Sequence, residues 1–321
     1  MVVKKTSVES EIRGKLVALI ESYKAGSPTE EGVYWISFRP WQIARLFYEQ
    51  HCIAVSHGLV KRLLKELGYG FRKQSKQLAT GCYARREEQF RIICSLVLIM
   101  SLQSPVLSID CKKKERLGNL YREGKCYCTK SIEVYDHDYE HLSGGKVIPH
   151  GIYDLQANKG YITIGGSSET AEFVIDNLLW WWCEHGIDRY PEAKNILLLC
   201  DAGGANCYRH HVFKKELMRF AAETGLSVIV CHYPPYCSKW NPIEHRLFCH
   251  VHKAMSGVVF DDYQTVQKVI GQTATSTGLT VVVRLNLKSY ETGIKVDKAS
   301  IDQKRIWHHP HLPELNYRIF P

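Results

Sequence analysis

Three carboxylates stand where folding could bring them together: Asp110 directly after the apolar run PVLSI, Asp201 directly after NILLLC, and Glu244 inside KWNPIEHRLF. Carboxylates at strand ends project from the C-terminal edge of a sheet, where α/β proteins commonly place ligands. Taken singly, each has an ordinary explanation. A strand-terminal Asp caps the following turn. Glu244 comes three residues after Asn241, a good N-cap followed by Pro242 at the first helical position, so it could close a capping box on the Asn241 amide. Taken together, with spacings of 91 and 43 residues, they are hard oxygen donors suited to a pair of divalent cations, which in two-metal sites lie about 3.5 to 4 Å apart. Such a site activates water or a 3′ hydroxyl at neutral pH and neutralises charge on the leaving oxygen during in-line displacement. That chemistry is phosphoryl transfer, with nucleic-acid strand cleavage and joining as its natural forms.

Other constellations are weaker. Cys126 and Cys128 with His137 and His141 have zinc-like residue types, but Cys-x-Cys departs from the spacing of structural zinc sites. His245, Cys249 and His252 share one helical face, a pattern more typical of packing and solvated histidine. GGAN after Asp201 fits no GxxxxGK[ST] phosphate loop. No Ser or Cys is paired by spacing with an oriented base, as a hydrolase would require.

The elements that must position the acids can be read from periodicity. VLSID is a strand, GIYDLQANKGYITIGG a hairpin, Ser168 to His185 a helix, NILLLCD a strand, Arg209 to Thr224 a helix, LSVIVCHY a buried strand and Asn241 to Met255 a helix. This order is mixed α/β. Trp180, Trp181 and Trp182 lie about 100° apart around their helix and cannot all face one core, so one of them is expected at a domain or subunit contact.

Upstream, Val8 to Lys24 has helical spacing, closed by Ala25-Gly26-Ser27-Pro28. Pro40 to about Glu49 is a second helix, and a third is capped by Ser56 and stopped by Gly68. The third turns Val60, Leu63, Leu64 and Leu67 inward and His57, Lys61, Arg62 and Lys65 outward. Two short helices with a basic second one resemble a helix-turn-helix; an amphipathic pair with a solvated basic face is the alternative. The turn has no glycine, so His51 or a neighbour must supply any left-handed residue. Phe71 to Gly81 reads as a basic linker, and Tyr83 to Met100 as a connecting helix.

Composition limits the partners. The chain has 321 residues with 45% hydrophobic and 23% charged, ordinary for a globular protein, and its longest apolar stretch falls short of a membrane span. Its start, MVVKKTSVESEIRGK, lacks the apolar segment of a secretory signal, and its twelve cysteines are scattered without a Cys-x-x-Cys pair, so a cytoplasmic protein with reduced thiols is expected. The net charge is +9, and Pro40 to Arg91 alone has ten basic residues against four acidic. A concentrated positive segment beside a nearly balanced remainder is the footprint of a nucleic-acid-binding module joined to something else.

At these residues the sequence resembles the DDE transposases of bacterial insertion sequences, in particular the ISAzo-type group of the RNase H-like superfamily. SIDCKKKERL resembles the block around that family's first aspartate, LLLCDAGGAN the second, and CHYPPYCSKWNPIEHRLF the third. SHGLVKRLLKELGY is similar to the group's upstream helix-turn-helix block, and the likeness runs from about Lys15 to the end, where members usually have a longer N-terminal region. The resemblance implies an RNase H-like mixed sheet flanked by helices (103–321), preceded by a helical DNA-binding region (1–80) and a connecting helix (81–102). It implies Asp110, Asp201 and Glu244 as catalytic metal ligands, with Mg²⁺ the ion and Mn²⁺ an alternative. Lys112, Lys113, Lys114 and Lys239 would neutralise DNA phosphates beside the site, or form a solvated basic edge. Ser56, His57, Lys61, Arg62 and Lys65 would face duplex DNA. Partners implied are double-stranded DNA, as transposon ends and target, and a second copy of the chain, with no membrane. A catalytically inactive, transposase-derived DNA-binding protein is the competing reading.

Overall fold

The computed structural model describes residues 3–26, 31–72 and 84–321. The chain divides into two compact units, 1–78 and 79–321. Most of the linker read over Phe71 to Gly81 lies outside the described residues, as do Lys73 and Lys76.

The first unit is three helices: α1 (Val3–Ser22), α2 (Pro40–His51) and α3 (His57–Glu66). Their apolar stripes meet in one core of Leu16, Leu19, Ile20, Ile43, Ala44, Phe47, Val60 and Leu63. Cys52, at φ 53°, is the left-handed residue that ends α2. The Ser56 hydroxyl accepts from the Leu59 amide at 3.2 Å, starting α3. Gly68, at φ +83°, ends it: its own amide reaches the Lys65 carbonyl and that of Tyr69 the Leu64 carbonyl, a Schellman closure. Leu67 is 37% exposed because it caps the helix instead of continuing its inner face.

The second unit begins with α4 (Arg86–Met100) and is built on a sheet of β1 (Val106–Cys111), β2 (Gly145–Asp154), β3 (Lys159–Gly165), β4 (Asn195–Cys200), β5 (Ser227–His232), β6 (Thr280–Asn286), β7 (Ile306–His308) and β8 (Asn316–Ile319). The strands lie in the order β7-β8-β5-β4-β1-β2-β3-β6, and a three-residue strand, Glu115–Leu117, adds to β2. β4 is parallel to β1 and to β5, while β2 is antiparallel to β1 and β3. β1, β3, β4 and β5 therefore end on the same edge. Helices α5 (Ala171–Trp181) and α6 (His211–Thr224) cover one face with Leu107, Ile109, Leu198 and Cys200. The other face carries α4 over Val106, Leu197 and Leu199, and, over β2 and β3, α7 (Cys249–Met255) with the wide turn before it and α8 (Tyr263–Gly271). Covering on both faces explains why the central strands are continuous apolar runs. This is the expected mixed sheet flanked by helices, and a small helical unit precedes it in the sequence.

Two helices differ from their sequence reading. The one expected from Ser168 to His185 is α-helical only to Trp181 and then opens into a five-residue π turn, Trp182–Gly186. Trp181 and Trp182 are buried, and the half-buried Trp180 is covered by Arg284, 4.4 Å from its ring centroid, and by His185. The three tryptophans thus pack within their own unit, and the expected domain or subunit contact is not needed to cover them. Similarly, Asn241 to Met255 is not one regular helix: a π turn, Glu244–Phe248, precedes α7.

Candidate active site

The spacing of 91 residues between Asp110 and Asp201 is the offset of the β1–β4 ladder, in which Ser108 stands opposite Leu199. The two aspartates therefore lie level on neighbouring parallel strands. Side chains alternate along a strand. Val106, Leu197 and Leu199 face the α4 side, so Asp110 and Asp201, two or four residues further on, leave the sheet on that face.

Glu244 is brought to the same face by two devices. Ser108 donates to Asn241 Oδ1, the Ile243 amide donates to Ser108 Oγ at 2.9 Å, and Asn241 Nδ2 donates to the Ile109 carbonyl at 3.4 Å. All of this is buried. In addition Gly151, opposite Asp110 in the β1–β2 ladder, lets the helix approach: a Cβ there would lie 2.6 Å from Phe248 and 2.8 Å from Ile243. The capping-box reading of Glu244 is overturned. The Asn241 amide donates to the Ser238 carbonyl at 2.8 Å, and its side chain is committed to β1. The Glu244 carboxylate is left for other work.

The electrostatics match a set of crowded anions. Burial pushes the Asp110 carboxyl up, and the charges of Asp201, Glu244 and Glu169 push it further, against a 2.8 Å hydrogen bond from the Cys111 amide. Asp201 is raised by burial and by Glu169 and Glu244, against a 3.3 Å bond from the Gly203 amide. Burial also raises Glu244, opposed by His245 and Lys112. Among the described residues, none of the three is in an ion pair, and no group of three or more His, Cys, Asp or Glu side chains is arranged as folded to hold a metal ion. Repelling, part-buried oxygen donors outside any ion pair fit a divalent cation in their chemistry.

The family description "Rhodopirellula transposase DDE domain" matches residues 15–321. The chain belongs to this DDE transposase family. No curated protein matches it. Among solved structures, the Mos1 transposase paired-end complex with the left transposon end is 16% identical, with a TM-score of 0.43, 80% of this chain covered and 68% of that one. The Mos1 mariner paired-end complex with Mn (16%, 0.43, 80% and 69%) and a pre-cleavage Mos1 transpososome (15%, 0.45, 80% and 69%) are similar to the same extent.

In this DDE transposase the lysines near the acids have unequal surroundings. Lys112 is buried, and its ammonium is paired with Glu115 at 2.9 Å, which also binds Arg122, so the expected phosphate contact is not available to it as folded. Lys113 is exposed. Lys114 lies 3.5 Å from Glu169, and the exposed Lys239 sits over the Trp240 ring at 5.6 Å. On α3, His57, Lys61, Arg62 and Lys65 are all exposed, while the Ser56 hydroxyl is occupied as the cap. Cys126 and Cys249 direct their thiols to the carbonyls of Gly257 and His245.

Two residues were missed by sequence reasoning. Glu169 follows the end of β3, on the same edge as both aspartates, and precedes Thr170, the N-cap of α5. Its signal was the hairpin: β2 pairs antiparallel with both β1 and β3, so β3 runs parallel to β1 and ends on the same edge, a relation that the hairpin alone does not give until β2 is placed beside β1. His232, the last residue of β5, is fully buried with Nδ1 2.9 Å from the Asp201 carbonyl, and burial pushes its imidazole down to about 4. Its place at a strand end, like that of the aspartates, was the available signal.

Proposed function

We propose that the chain is a metal-dependent DNA transposase that cleaves and transfers strands at the ends of an insertion sequence. The observation that carries this reading is the shared placement of three carboxylates: Asp110 and Asp201 level on adjacent strand ends, and Glu244 fastened to the same face through Asn241 and Ser108. Asp110, Asp201 and Glu244 would hold the ions, Mg²⁺ or Mn²⁺. Those ions supply activation of a hydroxyl nucleophile and neutralisation of the leaving oxygen. The chain's own contribution is preorganisation: the sheet fixes two donors and the tether fixes the third.

Residues 1–80 would bind duplex DNA, with α3 in the major groove, and 103–321 would perform the chemistry after the connecting helix at 81–102. Lys113, Lys114 and Lys239 are the lysines suited to phosphates beside the site. Joining two element ends to a target calls for two coordinated sites, so two copies of the chain would act together. No described helix is long and apolar enough to cross a membrane, and a cytoplasmic, nucleoid-associated site of action is part of the proposal. The competing reading, an inactive DNA-binding derivative, is disfavoured because all three carboxylates are present and electrostatically strained together.

The test is cleavage and strand transfer on the element's own ends with Mg²⁺ or Mn²⁺. The parent chain should give both products. Asp201→Asn should give neither while retaining duplex binding; strand cleavage by that variant would refute the assignment.

A further inference from the structure

We propose that His232, held from behind by Tyr317, is a positioning residue for Asp201. The inference rests on the reading of Asp201 as a cation ligand and adds a residue that the three-carboxylate set does not include.

A carbonyl oxygen only accepts hydrogen bonds, so the 2.9 Å contact between His232 Nδ1 and the Asp201 carbonyl places the proton on Nδ1. The other nitrogen, Nε2, is 3.2 Å from the Tyr317 hydroxyl. With Nδ1 protonated in a neutral ring, Nε2 accepts from that hydroxyl. Both ring nitrogens are therefore engaged, and the side chain is sealed from solvent, with His232 0% and Tyr317 1% exposed. Nothing in this arrangement lets the imidazole exchange protons with a substrate, which separates it from a general acid or base.

The backbone of His232 is held as firmly as its ring. Its amide donates to the Leu315 carbonyl at 2.9 Å, and its carbonyl accepts from Gln89 Nε2 at 2.8 Å. Gln89 and Asn316 bond to each other in both directions, at 2.8 and 2.6 Å, and both are buried. A continuous polar network thus runs from α4 and β8 through His232 to Asp201. Buried networks of this kind rigidify when every member is satisfied.

The location explains the use. The Cys200 carbonyl takes the last rung between β4 and β5, from the Tyr233 amide at 2.8 Å, and Pro234 and Pro235 have no N–H to continue. Asp201 then stands where β4 gives way to the Gly203-Gly204 turn, with Gly204 at φ +62°. The imidazole provides the missing donor to the Asp201 peptide, fixing its plane and with it the direction of the Cα–Cβ bond. Partners that orient metal ligands typically affect metal affinity by about 10 to 100-fold.

The experiment measures Mn²⁺ binding by the full chain through the free-ion EPR signal, alongside the Mn²⁺ concentration giving half-maximal cleavage of element ends. Thermal melting and duplex binding report on folding. His232→Phe should weaken Mn²⁺ binding about 10 to 100-fold and raise the half-maximal concentration in parallel, with duplex binding unchanged. His232→Gln, which keeps an N–H donor, should recover much of the loss. Parental Mn²⁺ affinity in a folded His232→Phe chain overturns the positioning role. If that variant does not fold, Tyr317→Phe decides: removing one hydroxyl should lower Mn²⁺ affinity several-fold, and unchanged affinity overturns the proposal. Failure of the parent chain itself to bind Mn²⁺ overturns the three-carboxylate reading instead, so the two failures are distinguishable.

Discussion

Ser108 and Asn241, 133 residues apart, are joined by a buried hydrogen bond that ties the strand of Asp110 to the helical turn of Glu244. Each precedes its carboxylate by two or three residues, so the bond sets the separation of two acids that no backbone pairing connects. Asn241→Ala should leave the Ser108 hydroxyl without its acceptor and the Ile109 carbonyl without its donor. A buried unsatisfied group costs about 1 to 3 kcal/mol, and denaturant melts should show a loss of that order. Cleavage should fall far more than stability implies, because Glu244 loses its anchor. A variant destabilised to this extent but cleaving at the parental rate would separate the tether from catalysis.

Gly151 offers an independent route to the same helix. A methyl group at that position would sit 2.6 Å from the Phe248 ring and 2.8 Å from Ile243, both buried. Overpacking of this type costs roughly 1 to 3 kcal/mol, and relief requires the Glu244 turn to move away from Asp110. Gly151→Ala should fold with a lowered melting temperature, bind duplex normally and need more Mn²⁺ for half-maximal cleavage. An unchanged Mn²⁺ requirement would mean the turn absorbs the methyl without moving Glu244.

The raised carboxyl pKa values of Asp110 and Asp201 have a definite sign in stability. The folded state binds their protons more tightly than the unfolded chain, so their contribution is greatest below the ordinary carboxylate range. It is lost as pH rises through the raised values. Asp110→Asn removes the buried charge. Without divalent ions, its melting temperature should match the parent at acidic pH and exceed it increasingly toward neutrality, by about 2 to 4 °C for each kcal/mol of repulsion relieved. Mn²⁺ should stabilise the parent more than the variant and narrow the gap. A variant no more stable than the parent at neutral pH would show that the acids are not in electrostatic conflict.

The parts of the site legible in the sequence were those that depend on local pattern. Asp110 and Asp201 end apolar runs, and the runs are strands because both sheet faces are covered. Ser56 and Gly68 bracket α3 through short-range capping, and they do so in the structure. What depends on tertiary pairing was not legible. Asn241 has the residue type of a cap but hydrogen-bonds to a strand 133 positions away. Lys112 reads as a phosphate contact but is drawn into a buried pair with Glu115. β7 and β8 are three and four residues long, too short for alternation to stand out, yet β8 carries Tyr317 and Asn316 to His232.

Glu169 tests whether a fourth anion belongs to the site. Its charge raises the carboxyls of both aspartates, its Oε2 lies 3.5 Å from Lys114, and a Cβ on Gly204 would come within 3.0 Å of its Oε1. Glu169→Gln removes one negative charge from beside the donors and releases Lys114. Mn²⁺ affinity should fall several-fold, while the metal-free chain should gain stability at neutral pH because the aspartates repel fewer neighbours. Equal or tighter Mn²⁺ binding by the variant would confine Glu169 to its contacts with Lys114 and the 204 turn.

The exposed basic face of α3 is the part of the proposal open to a salt experiment. His57, Lys61, Arg62 and Lys65 project to solvent while Val60 and Leu63 are buried in the three-helix core, so the charges can be removed without disturbing packing. Each phosphate neutralised by the protein releases condensed counterions, and the slope of log affinity against log salt changes by about 0.9 for every such contact on duplex DNA. Replacing Lys61, Arg62 and Lys65 together by alanine should therefore flatten the salt dependence of end binding by up to that amount for each side chain that touches a phosphate. Melting of the first unit should stay near that of the parent. Because phosphate contacts carry no sequence information, the loss should be similar on matched and scrambled ends; a loss confined to the matched end would instead assign these side chains to base edges in the major groove. Parental affinity and slope in the triple variant, at every salt concentration, would leave α3 as a solvated face and move the search for the DNA contact elsewhere in the chain.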